Sequence, residues 1–372
     1  TNKIVGYRVN TFCNLGAYNS RFGQNIQTGL FSKVLMGVYD VQNTYLNVLG
    51  IYTNTTQVDA YRGAGRPEAI YLLERMMDRA ARELKIDPLE LRRINFIKKD
   101  NFPYQSSTGE MIDVGDFDRV LTAAEISADI KGFEERKKES EAKGKLRGLG
   151  LCYYIESILG DPSEEAKVVF EEDGDVKIFV GTQSNGQGHE TVFAQFLSDQ
   201  TGIPTEKITV VQGDSDLIPN GGGTGGSRSV TVQNNATLAT VEKVLKSFSQ
   251  YLSEKLEVDV ENIEFDDTSF RINGSNYSPN VLEVAKMACE DQRFDLLKHS
   301  AKATLDARSF PNGAHFAEVE IDPETGFVQI VRYSVVDDFG NLINPMLAEG
   351  QVHGGVAQGI GQALYEHVVF DQ

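Results

Sequence analysis

Gly181-Thr182-Gln183-Ser184-Asn185-Gly186-Gln187-Gly188-His189-Glu190-Thr191 is the stretch on which the reading of this chain turns. It follows an apolar, strand-like run, Val176 to Val180, and leads into a helix-like run, Thr191 to Gln200. A glycine-rich turn between a strand and a helix presents backbone N–H groups beside the positive end of a helix dipole, which suits a phosphate or another anion. Taken alone, the stretch reads equally as a polar turn. Gln183, Ser184, Asn185 and Gln187 shift the balance, because four neutral hydrogen-bonding side chains in one loop suit a polar heterocycle or a phosphate. His189, alone in the first turn of the helix, reads as structural.

Two more stretches have the same character. Gln212 to Ser229 holds Gly221, Gly222, Gly223, Gly225 and Gly226, interrupted by Thr224 and closed by Ser227-Arg228-Ser229. A flexible linker is the plain reading, but a strong helical pattern follows at once. Thr224, Ser227 and Ser229 are expected to cap that helix and donate to an anion, and Arg228 to supply charge. The stretch is not a P-loop, since Gly-Lys-Ser/Thr is missing. Asn344 to Gly361 carries glycines at 350, 354, 355, 359 and 361. Each weakens a helix by up to ~1 kcal/mol relative to alanine. Tight helix packing would justify that, and so would a ligand. Gln351 and Gln358 are seven apart, two turns along one helix face, and can point at one ligand. The three stretches are expected to converge on one large anionic cofactor.

The bulk properties bound the rest. The chain has 372 residues, 40% of them hydrophobic and 24% charged, which allows two domains and a sizeable core. A net charge of −18 argues against nucleic acid or an anionic membrane as the main partner. Cys13, Cys152 and Cys289 are far apart and form no CxxC pair, pointing to a reducing, cytoplasmic compartment and no cysteine metal site. No uncharged apolar run approaches ~18 residues. Thr1 to Val9 reads as a strand entered midway and Tyr365 to Gln372 stops inside an apolar run, so both ends are read as cuts through a longer protein.

The pattern predicts an α+β fold with mixed sheets and flanking helices, and no regular βαβ repeat. Strands are expected at 3–12, 45–52, 147–156, 165–171, 175–180, 207–212 and 265–272, and a hairpin at 315–322 and 328–337. Helices are expected at 28–38, 67–84, 88–96, 117–130, 133–145, 191–200, 230–256, 280–290 and 345–369. Leu72, Leu73, Met76, Met77 and Ala80 are expected to form the apolar face of the second helix. The loop-rich and charged residues 101–146 are read as a connector between residues 1–100 and residues 147–372.

The three glycine stretches, together with Ala60-Tyr61-Arg62-Gly63-Ala64-Gly65-Arg66-Pro67-Glu68, resemble the molybdopterin-binding large subunit of the xanthine dehydrogenase and aldehyde oxidase family of molybdenum hydroxylases. The resemblance covers nearly the whole chain, with all four motifs in order and spacing. The Tyr-Arg-Gly-Ala-Gly-Arg version is similar to the group named form II carbon monoxide dehydrogenase. The resemblance implies two elongated molybdopterin-binding domains. It implies a molybdenum cofactor, the cytosine dinucleotide form, whose metal is held by the pterin rather than by protein ligands. Gln183, Gly186, Gln187 and Gly188 would contact the pterin and its phosphates from one side. Thr224, Gly225, Gly226, Ser227 and Ser229 would do so from a second, and Gln351 and Gln358 from a third. Arg62 would lie near the molybdenum, with Gly63 and Ala64 on the substrate side. The reaction would insert a water-derived oxygen at an electrophilic C–H and pass two electrons to iron–sulfur and FAD partners, in a dimer of complexes.

Departures from the family narrow this. Carbon monoxide dehydrogenases have cysteine where this chain has Gly63, so CO oxidation is disfavoured. Xanthine enzymes have an aromatic residue at the position of Ala64, and an arginine at that of Leu30, nine positions before Tyr39; purine is disfavoured, and an aldehyde or N-heteroaromatic substrate is expected. The family's general-base glutamate would lie beyond Gln372, and a Gly-Gly-Phe-Gly-Gly segment before Thr1, so these residues alone are expected to be inactive and without cofactor. Two other readings compete. One is a non-catalytic binding or cofactor-assembly protein with the same fold. The other is a metal-free enzyme using Asp214, Asp216 and His189 as acid–base groups, although acidic pairs in loops usually hold turns.

Overall fold

The computed structural model describes residues 1–158 and 160–371. The chain opens with β1 (Tyr7–Gly16), the single turn α1 (Gly23–Asn25) running into a π-turn at Ile26–Leu30, and β2 (Thr44–Tyr52). Next come α2 (Arg66–Leu84), α3 (Pro88–Asn95), the short strands β3 (Tyr104–Gln105) and β4 (Met111–Ile112), α4 (Phe117–Ala128), α5 (Phe133–Ala142) and β5 (Leu146–Ile155). They are followed by β6 (Ser163–Phe170), β7 (Val176–Val180), α6 (His189–Thr201), β8 (Ile208–Val211), α7 (Ser229–Leu256), β9 (Ile263–Phe265) and β10 (Phe270–Ile272). The last elements are α8 (Val281–Glu290), β11 (Lys298–Thr304), β12 (Asn312–Ile321), β13 (Val328–Asp338) and α9 (Pro345–Leu364). The α+β class with mixed sheets is as the sequence predicts.

The compact units cut the chain elsewhere than at 101–146. One comprises chiefly Thr1–Ser157 and Ala307–Gly340, the other Ile158–Asp306 and Asn341–Val369. The reason is the antiparallel sheet β13-β12-β5, which pairs late strands with the strand after the charged stretch. In the first unit, Tyr39, Phe96, Phe117 and Tyr153 make the centre of the core, with ring centroids 5.3–6.1 Å apart. β1 and β2 pair in parallel, Val9 with Leu46 and Phe12 with Leu49. α5 is not wholly solvated: Arg136 Nε donates to Glu318 Oε2 at 3.1 Å, and Arg147 Nε reaches the same oxygen at 2.9 Å.

The inward face of α2 differs from the expected one. Ala69, Ile70, Leu73, Met77 and Ala81 are buried, whereas Met76 is 47% exposed. Glu74 turns the helix. Its Oε2 accepts from Arg92 Nε at 3.0 Å and from the Tyr153 amide at 2.9 Å, and Tyr39 Oη donates to Oε1. Arg92 is fully buried, so a carboxylate at this spot offsets the cost of an otherwise unpaired buried cation.

The second unit is built on the sheet β11-β6-β7-β8, in which β7 and β8 are parallel and the other pairs antiparallel. Val168, Val176, Ile178, Phe193, Leu197, Val244 and Phe248 fill its core, between the sheet and α6 and α7. The run 265–272 is not one strand but two, β9 and β10, paired antiparallel. Asp266 makes the turn by accepting from the Thr268 and Ser269 amides. α9 ends at Leu364, short of the predicted 369.

Truncating Phe96 removes the ring that Tyr39, Phe117 and Tyr153 all touch. Phe96→Ala should cost about 3–5 kcal/mol of unfolding free energy, read as a lowered denaturant midpoint. Met76→Ala, on the exposed face of α2, should change it by less than ~0.5 kcal/mol.

Candidate functional site

All three glycine stretches lie in the second unit, and the first two are zipped together. The Gly223 amide donates to Gly181 O at 3.2 Å, the Gln183 amide to Thr224 Oγ1 at 3.0 Å, and Thr224 Oγ1 back to Gln183 O at 2.6 Å. A Cβ on Gly221 would stand 2.5 Å from Gly181 O, so this approach needs glycine on both sides. The third stretch meets the first through Gly188, where a Cβ would lie 2.8 Å from Leu347 Cδ2. Gln195 on α6 fastens the start of α9: its Nε2 donates to Ile343 O at 2.8 Å, and its Oε1 accepts from Asn344 Nδ2 at 3.0 Å.

A buried carboxylate lies beneath the loops. Glu164 Oε2 accepts from the Gly222 amide at 3.0 Å and from Arg228 Nη1 at 2.9 Å; both side chains are 1% exposed. Arg228 also donates to the carbonyls of Asp161 (2.7 Å), Ser163 (2.6 Å) and Gly223 (2.7 Å). The expectation that Arg228 offers charge to a ligand is therefore corrected, because its guanidinium is spent on the chain. The capping expectation is corrected too. Arg228 is the N-cap residue of α7 with no side-chain cap bond, and Ser229 lies inside the first turn, its Oγ on Thr224 Oγ1 at 3.2 Å.

The chemistry offered outward is that of backbone amides and neutral polar groups. Among the described residues, the amides of Gly225, Gly226 and Ser227, just before α7, find no acceptor. A Cβ on Gly225, Gly350 or Gly359 would meet nothing within 4 Å, and none of the three has a positive φ. The chain's own packing thus requires glycine at 181, 221 and 188 but not at 225, 350 or 359. At these three positions the fold itself would admit a side chain, and glycine leaves the surface open. With free amides at the N-terminus of a 28-residue helix, it fits a bulky group bearing phosphates.

The remaining sequence-predicted residues fall as follows. Gln183 and Gly186 are exposed at the loop surface, and the Gln187 amide works within the loop, Nε2 toward Gln183 O and His189 and Oε1 on the Asn185 amide. His189 is buried, its ring against Phe193 at 4.8 Å, and burial lowers its pKa. Neutral, it can accept from Gln187. Asp214 Oδ1 holds a turn by accepting from the Asp216 and Leu217 amides. Gln351 and Gln358 both lie on α9, none of whose residues is buried. Sequence reasoning missed Glu164, Gln212 and Gln233. Gln212 Oε1 accepts from the Ser184 amide and Gln233 Oε1 from the Gly181 amide. Strand alternation was the available signal for Glu164, which shares the inward face of β6 with Ala166 and Val168.

Arg62, Gly63 and Ala64 lie in the first unit, in the turn before α2. The Ala64 amide donates to Tyr61 O at 2.8 Å, and φ is positive at Gly63, Ala64 and Gly65. Arg66, buried, lies with Nη1 2.6 Å from Glu156 Oε1. Burial pushes the Glu156 carboxyl up to about 7 against the pull of Arg66.

Models of a molybdopterin cofactor-binding domain match residues 1–96 and 123–372. The chain belongs to the molybdopterin-binding molybdenum hydroxylase family. It is 29% identical over 394 residues to the carbon monoxide dehydrogenase large chain of Afipia carboxidovorans, covering 100% of this chain and 49% of that one. It is 31% identical over 392 residues to the nicotine 6-hydroxylase large subunit of Paenarthrobacter nicotinovorans, covering 99% and 48%. The fold matches quinoline 2-oxidoreductase from Pseudomonas putida 86 with a TM-score of 0.90 at 28% identity, covering 100% and 50%. The chain spans about half the length of the curated relatives it matches.

Two measurements check the site's framework. Arg228→Met leaves Glu164 buried without its cation and should cost about 3–5 kcal/mol, whereas Arg228→Met with Glu164→Leu should recover most of it, both read by denaturant unfolding. Glu156 ionises near 4.5 when unfolded and near 7 when folded. The folded chain therefore keeps a proton that the unfolded chain has lost, and stability falls as pH rises through that window. Glu156→Gln should match the parent at pH 4.5 and be the more stable at pH 8.

Proposed function

We propose that this chain is the molybdopterin-binding portion of a molybdenum hydroxylase that oxidises an aldehyde or N-heteroaromatic C–H with oxygen derived from water. The observations that carry the reading are the open glycines Gly225, Gly350 and Gly359 and, just before α7, the amides of Gly225 to Ser227 without an acceptor. Those amides would hold the phosphates of the cofactor, in its cytosine dinucleotide form. Gln183, Gly186, Gln187 and Gly188 would border the pterin with Thr224 and Ser229, and Gln351 and Gln358 would reach it from α9. When bound, the cofactor supplies the redox chemistry, taking up the electron pair of the C–H bond.

The chain's part is to bind and orient. Arg62, Gly63 and Ala64 would shape the approach of the substrate. By the motif resemblance, Gly63 would stand where the carbon monoxide dehydrogenases carry cysteine, which weighs against CO. The likeness to the nicotine 6-hydroxylase large subunit and to quinoline 2-oxidoreductase supports a heteroaromatic ring. The carboxylate that takes the proton from the water-derived oxygen would come from outside these residues, so they would turn over nothing by themselves. Electrons would pass to iron–sulfur and FAD subunits, in a cytoplasmic dimer of complexes. Residues 1–100 and 147–372 would be parts of two cofactor-binding domains joined by 101–146; the family matches cover 1–96 and 123–372, the second taking in part of that connector. The acid–base reading through Asp214, Asp216 and His189 has little support, since His189 is buried and Asp214 holds a turn.

The test is metal analysis of the complete protein purified with its partner subunits. Molybdenum at about one atom per large subunit, with turnover of aldehydes or N-heteroaromatics and none of CO, is the expected result. Gly225→Val should fold as the parent does, with an unchanged melting temperature without cofactor, yet lose at least tenfold in bound molybdenum. A wild-type complex without molybdenum, or full occupancy in Gly225→Val, overturns the reading.

A further inference from the structure

The turn Tyr61 to Gly65 is held in a conformation that its own residues do not favour. Three successive residues have positive φ: Gly63 at 89°, Ala64 at 25° and Gly65 at 87°. Alanine gains nothing intrinsically in that region, so the surroundings must impose it. Gly65 is fixed from one side, since a Cβ there would stand 2.2 Å from Ile26 O. Gly63 is crowded by the Pro67 ring, 2.4 Å from a Cβ position. Neither contact holds the carbonyl of Gly63, which accepts from the Arg66 amide at 3.3 Å.

The same carbonyl is held by the Arg66 side chain. Its Nε donates to Gly63 O at 2.7 Å, its Nη1 donates to Ser157 O at 2.8 Å, and Nη1 stands 2.6 Å from Glu156 Oε1. One planar guanidinium therefore ties the turn to the end of β5. An ammonium group has neither the fork nor the span to do the same. Arg66 is 6% exposed and points away from solvent, so its role is directed at the chain and not at a ligand.

We infer that Arg66, anchored by Glu156 and the Ser157 carbonyl, is a positioning residue that locks the Arg62–Gly63–Ala64 turn in the shape presented to cofactor and substrate. This rests on the proposed function for what the turn faces, but not for the lock itself. The lock acts through the Gly63 carbonyl. Glu156 Oε1 meets the guanidinium as an ion pair without a hydrogen bond, so a neutral amide at 156 leaves the bonds to the Gly63 and Ser157 carbonyls in place.

The experiment compares hydrogen–deuterium exchange over the peptide containing residues 61–67 in the complete complex, with the peptide over 183–191 as internal control. Arg66→Gln with Glu156→Gln removes both charges together, which avoids a lone buried ion. It should raise exchange over 61–67 at least tenfold and leave 183–191 unchanged. Glu156→Gln alone should leave both unchanged. Should the double variant fail to show a cooperative melt, Arg66→Lys decides: it keeps a cation for Glu156 but should loosen 61–67 equally. The Mo(V) electron paramagnetic resonance signal after dithionite reduction should change its g-values in the loosened variants and not in Glu156→Gln. Unchanged exchange over 61–67 in a folded Arg66 variant overturns the lock. A wild-type complex without molybdenum would instead sink the proposed function and leave the exchange result to judge the lock alone.

Discussion

The second unit depends on one buried contact, the carboxylate of Glu164 between the Gly222 amide and the Arg228 guanidinium. Two charges withdrawn from water are tolerable only when their hydrogen-bonding capacity is filled. Here it is filled by backbone. Arg228 takes the carbonyls of Asp161, Ser163 and Gly223, and Glu164 takes the amide of Gly222. The result is a glycine-rich loop pinned from below. Its upper surface, the amides of Gly225 to Ser227, can then stay fixed and unpartnered before a long helix, where an anion is most strongly favoured.

The same device occurs in the first unit with different residues. Arg66 grips the carbonyl of Gly63 as Arg228 grips that of Gly223, and each pairs with a carboxylate near the end of a strand, Glu156 or Glu164. In both places the arginine follows the glycines by a few positions and looks, in sequence, like a ligand-binding charge. In both it faces inward. Glycine gives each loop its shape and arginine fixes it; in the second unit the groups left over for chemistry are backbone amides and neutral side chains. A chain of net charge −18 can therefore offer an anion site without placing a lysine or arginine on its surface there.

Much of this was legible from the residues. The three glycine stretches stood out because glycine in helix-forming or strand-ending positions has a cost, and a repeated cost signals a use. The helices at 88–96 and 280–290 follow from local pattern, and each is closed by a cap of its own neighbours, Asp87 and Asn280. What was not legible is non-local. The face of α2 was rotated by Glu74, whose partners Arg92, Tyr39 and Tyr153 are distant in sequence. The division into compact units follows from β12 pairing with β5, across some 160 residues. Arg228 was misread because sequence gives a charge but not its partner. The hairpin at β9 and β10 was hidden because Asp266 to Ser269 interrupt an otherwise continuous strand-like run.

The central claim is that the open glycines of the second unit are kept for a phosphate-bearing cofactor. The measurement that tests it most directly is an experimental structure of the complete protein purified with its cofactor. The account predicts a phosphate within hydrogen-bond distance of the Gly225, Gly226 or Ser227 amide, and ligand atoms against Gly350 or Gly359. Protein side chains filling those spaces, with the cofactor phosphates bound elsewhere, would contradict it.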